Sequence, residues 1–316
     1  MSRLADLGYA AGWRFVRALP EPAARLLFDQ AADAAWRRNG GGTAQLARNL
    51  RRVVGPDMSE PELSALARQG MRRYARYWME AFRLPSMSRQ RIVDTFHLPQ
   101  QQIIADAVAA GTGLVLALPH MGNWDHAGAW AAANGWPLST VAERLKPESL
   151  FKRFVAYRES LGMEILPLTG GAAPPLDVLT DRLRAGHLVP LLADRDLSAR
   201  GVRVEFFGEP ARMPAGPAML ALRAGAPLCT VSLWHGPGRT CGWLDPVSTA
   251  ASGSTADRIG VITQRVADAM ARRIAEHPAD WHMLQRLWLA DLPHARAAAA
   301  AARGDRARPG VPRGEE

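Results

Sequence analysis

From residue 113 onward, short apolar runs alternate with segments of helical period. The runs at 113–118 (GLVLAL), 137–142, 163–168, 187–193 and 227–234 have strand length, and helical segments lie between most of them. This alternation predicts an α/β fold, with a mostly parallel central sheet flanked by helices on both faces. Upstream, residues 1–110 read as helical. Leu4, Leu7, Gly8, Ala11, Phe15 and Val16 recur near helical spacing, with Arg3, Asp6, Arg14 and Arg17 at other positions. Pro20 and Pro22 break that segment, and a second helix is expected from Ala23 to Arg37. NGGG at 39–42 reads as a loop. A long helix follows, with Ser59 as N-cap, Pro61 in its first turn and an end before Pro85. Another amphipathic helix is expected from Ala256 to Glu276.

These patterns organise residues 1–295 as a single domain: a mainly helical part to 110 and an α/β core over 111–295. The Ala- and Arg-rich segment 296–316 is low in complexity and expected to be disordered. No apolar run approaches the roughly 20 residues needed to span a bilayer, so the chain is expected to be soluble or to rest on a membrane. The N-terminal amphipathic helices have two readings: a face packed on the protein's own core, or an interfacial anchor with Trp13 and arginines at headgroup level.

Composition changes this picture in one respect. The formal charge is +9, and all but two of the basic residues, Lys146 and Lys152, are arginine. Such an excess suits an anionic membrane surface or reflects a GC-rich genome. Nucleic acid is disfavoured, because no helix-turn-helix, zinc or RNA-binding aromatic signature is present. Cys229 and Cys241 are the only cysteines and carry no zinc-type spacing, so two free buried thiols are expected.

The candidate chemistry lies at strand ends. In an open α/β sheet, ligands bind outside the carboxyl ends of the strands. Here those ends carry His120, then Glu143, then Asp194 with Arg195 and Asp196. His120 and Asp125 form an H-x-x-x-x-D pattern. A carboxylate in the first turn of the following helix could orient the imidazole and favour the imidazolium formed when it takes a proton. No G-x-S-x-G elbow accompanies it, so the proton would come from a bound hydroxyl. His126 adjoins Asp125 but points elsewhere on a helix, which makes it a wall residue; a metal site at His120, Asp125 and His126 lacks further ligands of usual spacing. Arg158 is a candidate for phosphate or carboxylate binding. Gly216, in the Pro-Ala-Gly-Pro start of a helix, offers free N–H groups to an anion or oxyanion.

Five segments, PHMGNWD, ERLKPESLFKRFVAYRESLGMEILPL, ADRDLS, FFGEPARMPAGPAMLALRAGAPL and DWHMLQRLW, together resemble the lysophospholipid acyltransferase superfamily, in its bacterial lipid A acyltransferase-like branch. The likeness covers roughly residues 3–293 and is strongest to actinobacterial members that acylate phosphatidylinositol mannosides. It implies transfer of a fatty acyl chain, palmitoyl expected, from acyl-CoA to a lipid hydroxyl. The acceptor would be the 6-hydroxyl of the mannose at the inositol 2-position of mono- or dimannosylated phosphatidylinositol. His120 would be the catalytic histidine, Asp125 its aspartate, and Glu143, Arg158 and Asp194 would line the donor and acceptor sites. No cofactor is implied beyond acyl-CoA as co-substrate. The expected setting is a monomer, peripheral on the cytoplasmic face of the plasma membrane. Pro-Ala-Gly-Pro replaces the E-G-T-R-type block of glycerolipid members, which disfavours glycerol 3-phosphate or lysophosphatidate. Another glycolipid acceptor such as a lipid A precursor, or water in a thioesterase or lipid hydrolase, remains the alternative.

Overall fold

The computed structural model describes residues 12–144, 147–171, 173–196 and 200–292. The Leu4–Ala11 part of the N-terminal pattern, Lys146 and the tail from His294 lie outside the described residues.

The helical N-terminal part comprises α1 (described over 12–18), α2 (Glu21–Arg38), α3 (Gly41–Val54), α4 (Glu60–Arg83), α5 (Arg89–Asp94) and α6 (Gln101–Ala109). α4 starts with a capping box: the Ser59 hydroxyl and the Glu62 carboxylate each accept from the other's backbone N–H. The Asn39–Gly42 stretch is not the loop expected. Asn39 ends α2 in the left-handed region, Gly40 N-caps α3, and Gly41 and Gly42 are already helical.

The five expected strands are present as β2 (Leu114–Leu118), β3 (Ser139–Ala142), β4 (Glu164–Pro167), β5 (Leu188–Leu192) and β8 (Leu228–Gly236). β1 (Phe96–His97) and β9 (Arg239–Val247) complete the central sheet in the order β1-β9-β8-β2-β5. β8–β9 is antiparallel and the other pairs are parallel. A parallel bridge between Leu138 and Leu188 brings the β3–β4 pair alongside β5. α7 (Trp124–Ala133), α8 (Glu148–Glu159), α9 (Pro175–Arg184), α10 (Gly216–Ala224) and α11 (Thr255–Glu276) connect or follow the strands.

All five residues of β2 are buried, as a strand covered on both faces requires. Leu114, Leu116 and Leu118 pack with Trp130 of α7 and Ile165 of β4, whereas Val115 and Ala117 pack with Leu183 of α9, Leu220 of α10 and Met270 of α11. Phe206 and Phe207 belong to an antiparallel hairpin: β6 (Val202–Phe206) turns at Phe207 and Gly208, both at positive φ, into β7 (Glu209–Met213). Cys229 and Cys241 are free and buried. No described helix is long and apolar enough to cross a membrane.

Candidate active site

β2 and β5 run parallel with Leu118 opposite Leu192, so residues two beyond each end, His120 and Asp194, arrive side by side. His120 Nδ1 lies 2.5 Å from Asp194 Oδ1, and its backbone N–H donates to Oδ2 at 2.9 Å. Trp281 Nε1 donates to Oδ2 as well, at 2.9 Å. Burial alone would raise the Asp194 carboxyl, but His120 and these donors hold it below its ordinary value. Asp194 is therefore an ionised, fully buried acceptor that fixes the imidazole through Nδ1 and leaves Nε2 for a ligand.

The turn carrying His120 is pinned from behind. The Gly122 N–H donates to the Asp280 carbonyl, and the His282 N–H donates to the His120 carbonyl at 2.7 Å. Gly122 has φ +60°, and a Cβ there would stand 2.5 Å from the Leu233 backbone, so only glycine fits where the turn crosses β8. Asn123 caps α7 by accepting from the His126 N–H and donates to Glu80. Glu80 also faces His235, whose Nδ1 lies 2.6 Å from Asp280 Oδ1. Burial would lower the His235 imidazole, but Asp280 and Glu80 outweigh it and raise the group above its ordinary value.

Asp125 does not hold His120. Its Oδ1 accepts from Arg158 Nε at 2.7 Å and its Oδ2 from the Tyr77 hydroxyl at 2.9 Å. The first turn of α7 aims this carboxylate toward α8 and α4, and it is 2% exposed. The orienting role expected of Asp125 thus falls to Asp194, and Asp125 instead fixes the Arg158 guanidinium. Burial and the Asp125 charge push the Tyr77 hydroxyl well above its usual range, so it donates as the neutral phenol.

Two cavities meet at His120. The first, of 220 Å³, runs between the sheet and α7 past Leu116, Leu118, Trp130 and Val231. The second, of 340 Å³, is bounded by Tyr74, Trp78, Phe151, Phe154 and His282. Trp124, Glu143, Arg158 and Arg195 line both, and Glu143 and Arg195 lie 4.0 Å apart. Three other expected site residues lie elsewhere. Asp194 stands behind His120 and lines neither cavity. His126 points to the opposite side of α7, with Nδ1 2.9 Å from Thr240 Oγ1 and Nε2 3.1 Å from the Ile92 carbonyl. Gly216 also lines neither; it starts α10 on the face of the sheet away from α7, beside Leu191. No group of three His, Cys, Asp or Glu suited to a metal occurs among the described residues.

Tyr77, Trp124 and His282 were not singled out by sequence. His282 packs against Tyr74, Tyr77 and Trp124, and burial first, then the His235 charge, pushes its imidazole down to about 3, so it is neutral. The aromatic run YARYW on α4 was the visible signal for Tyr74, Tyr77 and Trp78.

A strand-end histidine oriented by a buried carboxylate, at the junction of an apolar channel and an aromatic, arginine-edged cavity, can deprotonate a hydroxyl beside a bound acyl chain. Residues 2–290 match the family model for bacterial lipid A biosynthesis acyltransferases. The chain belongs to that family. Among its relatives, "Phosphatidylinositol mannoside acyltransferase" of Mycolicibacterium smegmatis (strain ATCC 700084 / mc(2)155) is 51% identical over 297 residues, covering 94% of this chain and 95% of the relative. The protein of the same name from Mycobacterium tuberculosis (strain CDC 1551 / Oshkosh) is 50% identical over 93% of this chain and 91% of its own length. That of strain ATCC 25618 / H37Rv is 49% identical with the same coverage. The protein is accordingly an acyltransferase.

Proposed function

We propose that this acyltransferase moves a fatty acyl chain, palmitoyl in the first instance, from acyl-CoA to the 6-hydroxyl of the mannose at the inositol 2-position of phosphatidylinositol mannosides. The observation that carries the chemistry is the His120–Asp194 pair at the junction of the two cavities. The relatives' name supports the acceptor.

The acyl chain occupies the apolar channel between the sheet and α7, and the mannolipid headgroup the aromatic cavity. His120 Nε2 takes the proton of the sugar hydroxyl while the oxygen attacks the thioester carbonyl. Asp194 stabilises the imidazolium without taking the proton, as in a His–Asp pair of hydrolytic triads. Collapse of the tetrahedral intermediate breaks the C–S bond, forms the ester, and returns the proton from Nε2 to the departing thiolate. Arg158 and Arg195, the guanidinium groups common to both cavities, face the developing oxyanion and the phosphates of CoA. Asp125 and Tyr77 hold Arg158 in place for this. The site works at the cytoplasmic face of the plasma membrane, where the protein binds peripherally to anionic lipid.

The test is CoA release from palmitoyl-CoA with mannosylated phosphatidylinositol, lysophosphatidate, a lipid A precursor or water alone, with the acylated position read by NMR. Release that requires the mannolipid and yields the 6-O-acyl mannose supports the proposal. Equal release without acceptor makes the protein a thioesterase, and preference for another lipid replaces the acceptor.

A further inference from the structure

On the opposite side of α7 from His126's neighbour residues in the active site lies a third cavity, of 140 Å³, that the reaction does not use. It is enclosed by α1, α2, the C-terminal part of α4 and the β8–β9 turn, and six arginines line it: Arg17, Arg25, Arg76, Arg83, Arg91 and Arg239. Among the described residues two carboxylates, Glu21 and Glu80, join them, so the described lining carries a formal charge of +4.

Internal pairing accounts for only part of this charge. Arg76 pairs with Glu80 at 2.6 Å. Glu21 serves Arg91 at 2.7 Å and Arg25 at 3.8 Å. Arg83 donates from Nη1 to the Val16 and Leu19 carbonyls at the end of α1, and Arg17 donates from Nε to the Phe82 carbonyl. These bonds fix two guanidinium forks at the wall by one edge each. Arg239 makes no side-chain hydrogen bond or ion pair with the described residues, and Ser86 adds an exposed hydroxyl at the rim. Several converging guanidinium groups in a concave site match the oxygens of a phosphate.

Helices α1 and α2 carry the most exposed large apolar side chains among the described residues. Phe15 of α1 is 56% exposed, and Leu26 of α2 is 62% exposed next to Arg25. Exposed apolar side chains on the two helices that also present Arg17 and Arg25 to a cationic cavity fit one kind of ligand, a phosphate with hydrocarbon behind it. We propose that this cavity binds the headgroup phosphate of an anionic phospholipid while Phe15, Leu26 and Leu27 enter the adjoining acyl layer. The site is separate from the acyl-transfer centre and rests on no assumption about the reaction.

The test is co-flotation of the full chain with vesicles of phosphatidylcholine, with or without phosphatidylglycerol, together with calorimetric titration of inorganic phosphate. R25Q/R239Q removes two exposed arginines of the cavity; R184Q/R272Q removes the same charge from α9 and α11. A basic residue near anionic lipid contributes ~1 kcal/mol, about fivefold each, so the cavity pair should cut partition to phosphatidylglycerol vesicles ~20- to 30-fold and the control pair far less. CoA release with detergent-dispersed acceptor should match wild type in both, separating lost docking from lost fold. Equal losses in the two variants would assign binding to diffuse charge and overturn the proposal. So would unchanged vesicle binding in R25Q/R239Q, or phosphate titration at the cavity without any vesicle preference, which would make the ligand a free anion.

Discussion

Exchanging the two candidate aspartates one at a time separates the pattern visible in sequence from the contact made in space. In D194N the amide keeps one oxygen, but its NH2 must face either His120 Nδ1 or the paired donors, the His120 N–H and Trp281 Nε1. A donor opposed to a donor either turns the amide away or forces the other imidazole tautomer, with the proton on Nε2 where the base must be empty. Positioned general-base catalysis contributes typically 10²–10⁴-fold, and the wrong tautomer forfeits most of it. We expect kcat to fall by roughly 10²- to 10⁴-fold, with KM for palmitoyl-CoA changed less than about threefold. D125N should behave differently, because its oxygens meet Arg158 and Tyr77. Removing that charge leaves a largely buried guanidinium without its anion, so KM for acyl-CoA or acceptor should rise, and stability should fall by a few kcal/mol, about 3 by analogy with broken buried pairs. Steady-state CoA release plus thermal unfolding measures both. A D125N enzyme that loses kcat as severely as D194N at unchanged KM, with D194N near wild type, would refute the assignment.

Three further outcomes follow from single contacts. Gly122→Ala puts a Cβ into the Leu233 backbone at positive φ, and should cost at least ~1–3 kcal/mol in urea unfolding; a neutral result would mean the turn has room to move. His282 has its pKa depressed to about 3 in the fold and near 6.5 unfolded, so its contribution to stability is present above pH 6.5 and is lost as pH falls toward 3. The stability difference between wild type and His282→Gln should therefore shrink by about 2 kcal/mol between pH 7 and 5, whereas parallel curves would contradict a buried neutral imidazole. Leu116→Trp fills the channel below His120 and should shift preference from palmitoyl-CoA to shorter donors, read from initial rates across a chain-length series; an unchanged profile would place the acyl chain elsewhere.

The strands legible in sequence were those with unbroken apolar runs: Leu114–Leu118 is buried throughout, and Leu188–Leu192 stays apolar although Leu192 at its end is exposed, so no polar alternation competes. β9 escaped because Gly242, Asp245 and Pro246 interrupt its pattern, though it pairs with β8 along nine positions. In the β6–β7 hairpin, Val202, Val204 and Phe206 do alternate, but the two-residue turn at Phe207-Gly208 lacks the Asn-Gly or Asp-Gly signature of a hairpin. For the site, the strand-end rule picked out His120, Glu143 and Asp194 as residues of one region. It could not say that β2 and β5 are neighbours in register, the fact that gives His120 to Asp194 rather than to the nearer Asp125. Local spacing on α7 was a poor guide because a helix N-terminus directs successive side chains to different neighbours: Asp125 to Arg158, His126 to Thr240.

The central claim is that His120 Nε2 removes the proton from a mannolipid hydroxyl. Its most direct measurement is single-turnover acyl transfer from palmitoyl-CoA to mannosylated phosphatidylinositol by His120→Ala beside wild type, with binding of a non-hydrolysable acyl-CoA followed in parallel. The account predicts intact acyl-CoA binding and a chemical step slowed by ~10²-fold or more. A variant that transfers the acyl chain at the wild-type rate would contradict it.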